Sequence, residues 1–106
     1  MKDLTIVLAC SAGMSTSLLV KKMEAAAEEK GVTCKIHAIP IAAIDETVAK
    51  EKIDVLLLGP QVRFKKDELT EQLEPKGIHV EVIDMADYGL MNGEHVLTHI
   101  LEEMDN

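Results

Sequence analysis

Cys10 is followed by Ser11, Ala12, Gly13, Met14, Ser15, Thr16 and Ser17, a run with no charged side chain. The apolar segment Ile6-Val7-Leu8-Ala9 precedes it, and the pattern turns helical after it at Leu18-Leu19. A loop of small and hydroxyl residues between a strand and a helix suits an anion. Its main-chain N–H groups are uncovered, and the helix N-terminus adds partial positive charge. A cysteine at the head of such a loop stands where its thiolate is stabilised, and a thiolate is a strong nucleophile. Attack on a phosphoryl group needs a cradle for three oxygens. Main-chain N–H groups from Ser11 to Ser17 would supply it, with Gly13 permitting close approach and the hydroxyls of Ser11, Ser15, Thr16 and Ser17 adding donors. The competing reading is a small apolar cysteine, buried and inert, that ends a strand before an ordinary turn.

The elements that position this run follow from periodicity. Leu4 to Ala9 is apolar on both faces, as in a central parallel strand. From Ser15 to Lys30 the stripe Leu19, Met23, Ala26 and Ala27 predicts an amphipathic helix, stopped by Gly31. Val32 to Ile39 alternates, as in an edge strand, and Pro40 ends it. A short helix is expected over Ile41 to Lys52, then the clearest strand, Ile53 to Leu58, closed by Gly59-Pro60. A charged amphipathic helix over Val62 to Leu73, a fourth strand over Ile78 to Ile83, a turn through Tyr88-Gly89 and a final helix over Asn92 to Met104 complete the chain. Val96, Leu97, Ile100, Leu101 and Met104 form the buried side of that last helix.

Strands alternating with helices predict an open, doubly wound, four-stranded parallel α/β sheet with helices on both faces. The order 2-1-3-4 places the two most apolar strands, one and three, at the centre. Ligands of such sheets bind outside the carboxyl ends of the strands where the winding reverses. That point lies between strands one and three, so Cys10 to Ser17 should face Gly59, Pro60 and Gln61. Periodicity and topology thus select the same place independently.

Composition bounds the rest. The 106 residues suffice for one domain, residues 1–106, with one aliphatic core, since 47% are hydrophobic and only 2% aromatic. A net charge of −8 argues against nucleic acid or anionic membrane as a general partner. With two cysteines, no signal peptide and no apolar run of membrane-spanning length, a cytoplasmic setting is expected. Cys10 ends one strand and Cys34 begins its parallel neighbour, so a disulfide between them is excluded by about 16 Å of strand rise, and Cys34 is expected in the core.

Other chemistry-bearing residues receive simpler readings. His95 and His99 have the i, i+4 spacing of a metal pair, but Glu94 precedes them instead of lying between them, and a surface helix face is expected with no metal. His37 and His79 lie within strands, away from their carboxyl ends. Asp84 and Asp87 read as a cap or turn. Arg63 is expected on the surface.

The run Cys10 to Val20 resembles the active-site signature of the enzyme IIB component of the lactose/cellobiose-type sugar phosphotransferase system. Gly59-Pro60-Gln61-Val62 and Tyr88-Gly89 with Asn92-Gly93 are similar to further stretches of that family, so the resemblance spans essentially the whole chain. It implies that Cys10 accepts a phosphoryl group from a phosphohistidine on a IIA protein. Cys10 then passes the group to a sugar translocated by the membrane IIC protein, whose inner face this chain visits. The loop Ser11 to Ser17 is the implied cradle, and no cofactor is implied. Met14 and Leu18 are candidates for docking IIA and IIC, with capping of the core as the competing reading.

Low-molecular-weight tyrosine phosphatases have a related fold and the pattern C-x5-R-S/T. Here the sixth residue after Cys10 is Thr16, so the arginine that would clamp the equatorial oxygens is missing. A hydrolytic enzyme is therefore one alternative, and a non-catalytic anion-binding module, in which Cys10 only packs, is another.

Overall fold

The computed structural model describes residues 3–11 and 14–104. The strands are β1 (Leu4–Cys10), β2 (Cys34–Pro40), β3 (Val55–Leu58) and β4 (His79–Val82). The helices are α1 (Met14–Lys30), α2 (Ile44–Lys50), α3 (Lys66–Leu73), α4 (Met85–Gly89) and α5 (Gly93–Met104). The four strands form one sheet in the order β2-β1-β3-β4, with every neighbouring pair parallel, as the sequence predicts.

Alternation along the strands divides the core into two layers. Leu4, Ile6, Leu8, Val55, Leu57 and Ile83 face α1 and α5, where they meet Leu19, Met23, Ala27, Leu97 and Ile100. Val7, Ala9, Leu56, Leu58 and Val80 face the other way, onto Ile44, Val62, Leu69 and Leu73. Ile6 through Cys10 and all of β3 are at most 2% exposed, so β1 and β3 are covered on both faces. Each buried leucine there stabilises the fold by about 1.5–3 kcal/mol. The core is aliphatic, with Phe64 out on the surface.

Local chemistry sets the boundaries and explains where they depart from periodicity. Gly31 (φ 69°) ends α1, with Val32 N–H donating to Ala27 C=O at 3.0 Å, and Gly77 (φ 86°) repeats this after α3, where Ile78 N–H donates to Leu73 C=O at 3.2 Å. β3 starts at Val55, two residues later than expected. The Asp54 carboxylate takes the Thr5 N–H at 2.8 Å, filling the place of a ladder carbonyl. The helix expected from Val62 begins as an irregular 3-10 segment, Pro60–Lys65, and becomes α-helical only at Lys66. The cause is Val62, buried at 3% exposure with φ −117°, which no α-helix accommodates. Likewise Ile41–Ala43 is a 3-10 turn before α2, which stops at Lys50 because Glu51 extends toward Lys35 and His37 of β2.

Helices α1 and α5 touch through a glycine. A Cβ on Gly93 would stand 2.5 Å from the Lys22 carbonyl carbon and 2.6 Å from the Met23 nitrogen, so only glycine lets the two backbones approach. Asn92 caps α5 just before it, its Oδ1 accepting the His95 N–H at 3.1 Å.

Candidate active site

Cys10 is the last residue of β1, not the first of the loop: it pairs with Pro40 at the carboxyl edge of the sheet and is 2% exposed. Its sulfur lies 3.6 Å from the Thr16 hydroxyl, a contact in which either atom can donate. Thr16 itself is fully buried in the first turn of α1. Strand end and helix start are thereby joined through their side chains.

The 17-residue helix α1 has no acidic residue in its first turn, so the partial positive charge of its N-terminus, four residues beyond Cys10, is left uncompensated by its own side chains. Ser11 and Ser17 are exposed. Ala12 and Gly13 lie outside the described residues, and Met14 and Ser15 begin α1. Leu18, on the exposed side of the same turn, keeps half its surface open.

The second loop stands beside the cysteine. Gly59 N–H donates to Ala9 C=O at 2.8 Å, tying the end of β3 to the end of β1. A Cβ on Gly59 would lie 3.2 Å from Cys10 Cβ and 3.0 Å from Gln61 Oε1, so this position is small because the cysteine and Gln61 crowd it. Pro60 is buried and Gln61 exposed. Arg63 is on the surface, as expected, yet its guanidinium donates to Pro60 C=O at 2.9 Å and stiffens the turn.

Cys34 corrects an expectation. It is half-buried, at the margin of the first core layer on an edge strand, and not within the core. Burial, with the Asp3 carboxylate adding to it, pushes its thiol up from the ordinary cysteine value. It pairs in register with Leu4, six residues before Cys10 on β1. Strand rise separates the two by about 20 Å, beyond any disulfide.

The acids have local duties. Asp84 caps α4, accepting from Ala86 N–H at 3.1 Å and Asp87 N–H at 3.2 Å. Asp87 is buried and its Oδ2 lies 2.6 Å from His95 Nδ1. His95 is thus no bare surface residue. The hydrogen bond and charge of Asp87, helped by Asp84 and Glu102, hold it above the ordinary histidine value against a small desolvation cost. His99 turns to Glu81 instead, so the i, i+4 pair is divided between two carboxylates. A cleft of about 320 Å³ runs between β4 and α5 along these residues, with Leu57 as its floor. Tyr88 packs against the first core layer. Periodicity missed these pairings, although the signal was present. His95, His99 and Glu103 recur every four residues on one helix face, and His79 and Glu81 share one face of a strand.

Residues 5–99 match the family model described as "PTS system, Lactose/Cellobiose specific IIB subunit". The chain belongs to the lactose/cellobiose-specific IIB family. It is 52% identical over 100 residues to the PTS system galactose-specific EIIB component of Lactococcus lactis subsp. cremoris, covering 92% of this chain and 93% of that protein. It is 51% identical over 100 residues to the cellobiose-specific EIIB component of Lactococcus lactis subsp. lactis, with the same coverage. With the oligo-beta-mannoside-specific EIIB component of Bacillus subtilis it shares 43% identity over 104 residues, 95% of this chain and 96% of that one.

Among solved structures, the cellobiose-specific IIB component from Borrelia burgdorferi superposes with a TM-score of 0.71 at 46% identity, over 92% of this chain and 87% of that one. The lactose-specific IIB domain from Streptococcus pneumoniae has the same fold, with a TM-score of 0.81 at 21% identity over 95% and 97% of the two chains. As a IIB family member the protein is a phosphotransfer subunit of the sugar phosphotransferase system. Among the described residues, no helix is long and apolar enough to cross a membrane.

Proposed function

We propose that Cys10 is the phosphorylated residue, receiving its phosphoryl group from a phosphohistidine of a IIA protein and donating it to a sugar presented by a membrane IIC protein. The observation that carries this reading is the Cys10 sulfur held 3.6 Å from Thr16 Oγ1, where β1 hands over to the N-terminus of α1. In the first step the Cys10 thiolate attacks phosphorus, an S–P bond forms, and the N–P bond of phosphohistidine breaks with its electron pair returning to the imidazole. In the second step a sugar hydroxyl attacks phosphorus and gives up its proton to solvent or base. The S–P bond then breaks and returns the thiolate. A hydroxyl donor on the sulfur stabilises the thiolate, which is the form that attacks in the first step and leaves in the second.

The loop from Ser11 to Ser17, including Ala12, Gly13, Met14 and Ser15, is the proposed cradle, and Gly59, Pro60 and Gln61 form its neighbouring wall. The absence of arginine at Thr16 suits a carrier, which must hold phosphate without driving hydrolysis. Asp84 and Asp87, the carboxylates after β4 on which a hydrolytic cycle would draw for its acid, are engaged elsewhere: Asp84 as a cap and Asp87 with His95. Galactose, cellobiose and oligo-β-mannosides, named for the relatives, define the sugar class. Leu18 is a proposed contact for IIA and IIC.

Mass spectrometry after incubation with phosphorylated IIA tests the mechanism. A single phosphate adduct on Cys10, missing in Cys10→Ser and retained in Cys34→Ala, is expected. Transfer to sugar that survives in Cys10→Ser would overturn it.

A further inference from the structure

Along the open edge of the sheet, β4 faces α5 with a set of imidazoles and carboxylates that phosphoryl transfer does not use. His79 Nε2 lies 2.6 Å from Glu81 Oε1 and 3.9 Å from Glu103 Oε1. One donor atom from each of these three residues falls within 4.8 Å of the others. The second oxygen of Glu81 is in contact with His99 Nε2. On the far side of the His79 ring, Nδ1 faces Glu74 Oε2 at 3.9 Å.

We propose that His79, Glu81 and Glu103 bind a divalent transition-metal ion of the zinc class, with His99 holding Glu81 in position and Glu74 beside the remote nitrogen of His79. The donor set, one imidazole nitrogen and two carboxylate oxygens, matches what zinc accepts at about 2.0–2.2 Å from each ligand. Ligands around a tetrahedral ion stand roughly 3.4 Å apart, between the two separations seen here, so side-chain rotation alone assembles the site. A carboxylate bonded to the remote ring nitrogen is the usual means of fixing a ligating histidine, and Glu74 Oε2 stands on that side of the ring at the longer distance of 3.9 Å. The His79 and Glu103 side chains are 30% and 45% exposed, so an ion reaches them directly from solvent.

The site stands apart from Cys10. His79 is level with Val55 and Ile6 in the sheet register, four residues before Cys10 and two strands away. That is roughly 13 Å along the strands and 10 Å across them. Its effect is therefore mechanical: the ion links the edge strand β4 to α5.

Zinc titration of the untagged full chain, read by calorimetry and by thermal unfolding, tests the site. One ion per chain is expected, with Tm raised by about 10 °C or more at a hundredfold excess over Kd. His79→Ala should abolish both signals. Glu103→Gln, an exposed change that leaves the fold intact, should weaken binding, and His99→Ala should weaken it about 10- to 100-fold. Cobalt in place of zinc should give ligand-field bands without a thiolate charge-transfer band. No change in Tm, an unchanged response in both His79→Ala and Glu103→Gln, or a thiolate band from Cys10 or Cys34 would overturn the proposal.

Discussion

Thr16 occupies the position at which a cysteine phosphatase carries its arginine, and its single hydroxyl lies against the Cys10 sulfur. Thr16→Val keeps the shape of the buried side chain and removes that donor. Loss of a hydrogen bond to a charged group predicts phosphotransfer slower by about 10- to 100-fold with little change in Tm, and Thr16→Ser should restore the rate; quench-flow transfer from labelled IIA measures it. His95 makes a second prediction. Asp87 holds it above the ordinary histidine value, so the contact stabilises fully below about pH 6.5 and is lost as pH rises through the folded-state value. The urea midpoint should fall as pH rises above about 6.5 in the wild type, and this slope should flatten in His95→Gln and in high salt. At this scale the sequence was uneven in what it revealed. Cys10 is legible because a strand, a small-residue run and a helix pattern converge on it. The Asp87–His95 and Glu81–His99 pairs are not, because they join α4 and β4 to α5 through orientations that spacing alone leaves open.

Elements were legible wherever burial alone dictates pattern. β1 and β3 are enclosed on both faces and read as unbroken apolar runs, and from that the strand order follows. Boundaries were legible less often, since side chains set them: Asp54 displaces the start of β3, and buried Val62 delays α3. The α1–α5 contact belongs to this scale. Gly93→Ala forces a methyl group against backbone atoms of Lys22 and Met23 that cannot rotate away. We expect a loss of about 1–3 kcal/mol or more, read as a lower urea midpoint. Asp84→Ala should cost about 1 kcal/mol by removing the cap of α4, and should raise hydrogen exchange at the Ala86 and Asp87 amides.

Across the whole molecule, a chain carrying a net charge of −8 places its one proposed reactive centre at a helix N-terminus, where local dipoles oppose the general field. The docking proposed above involves Leu18, which lies on the face around the carboxyl ends of the strands. Leu18→Ser should raise the KM for phosphorylated IIA severalfold and leave Tm unchanged, as steady-state transfer assays would measure. The parallel pairing of β1 with β2 carries one more consequence. Because the two thiols sit at opposite ends of that pair, an oxidised Cys10 finds no resolving thiol in its own chain. A sulfenic acid formed there is rescued only by an external thiol, or else advances to the irreversible sulfinic acid. The same spacing that excludes a disulfide between the two thiols leaves Cys10, and the transfer proposed for it, dependent on the reducing power of its surroundings.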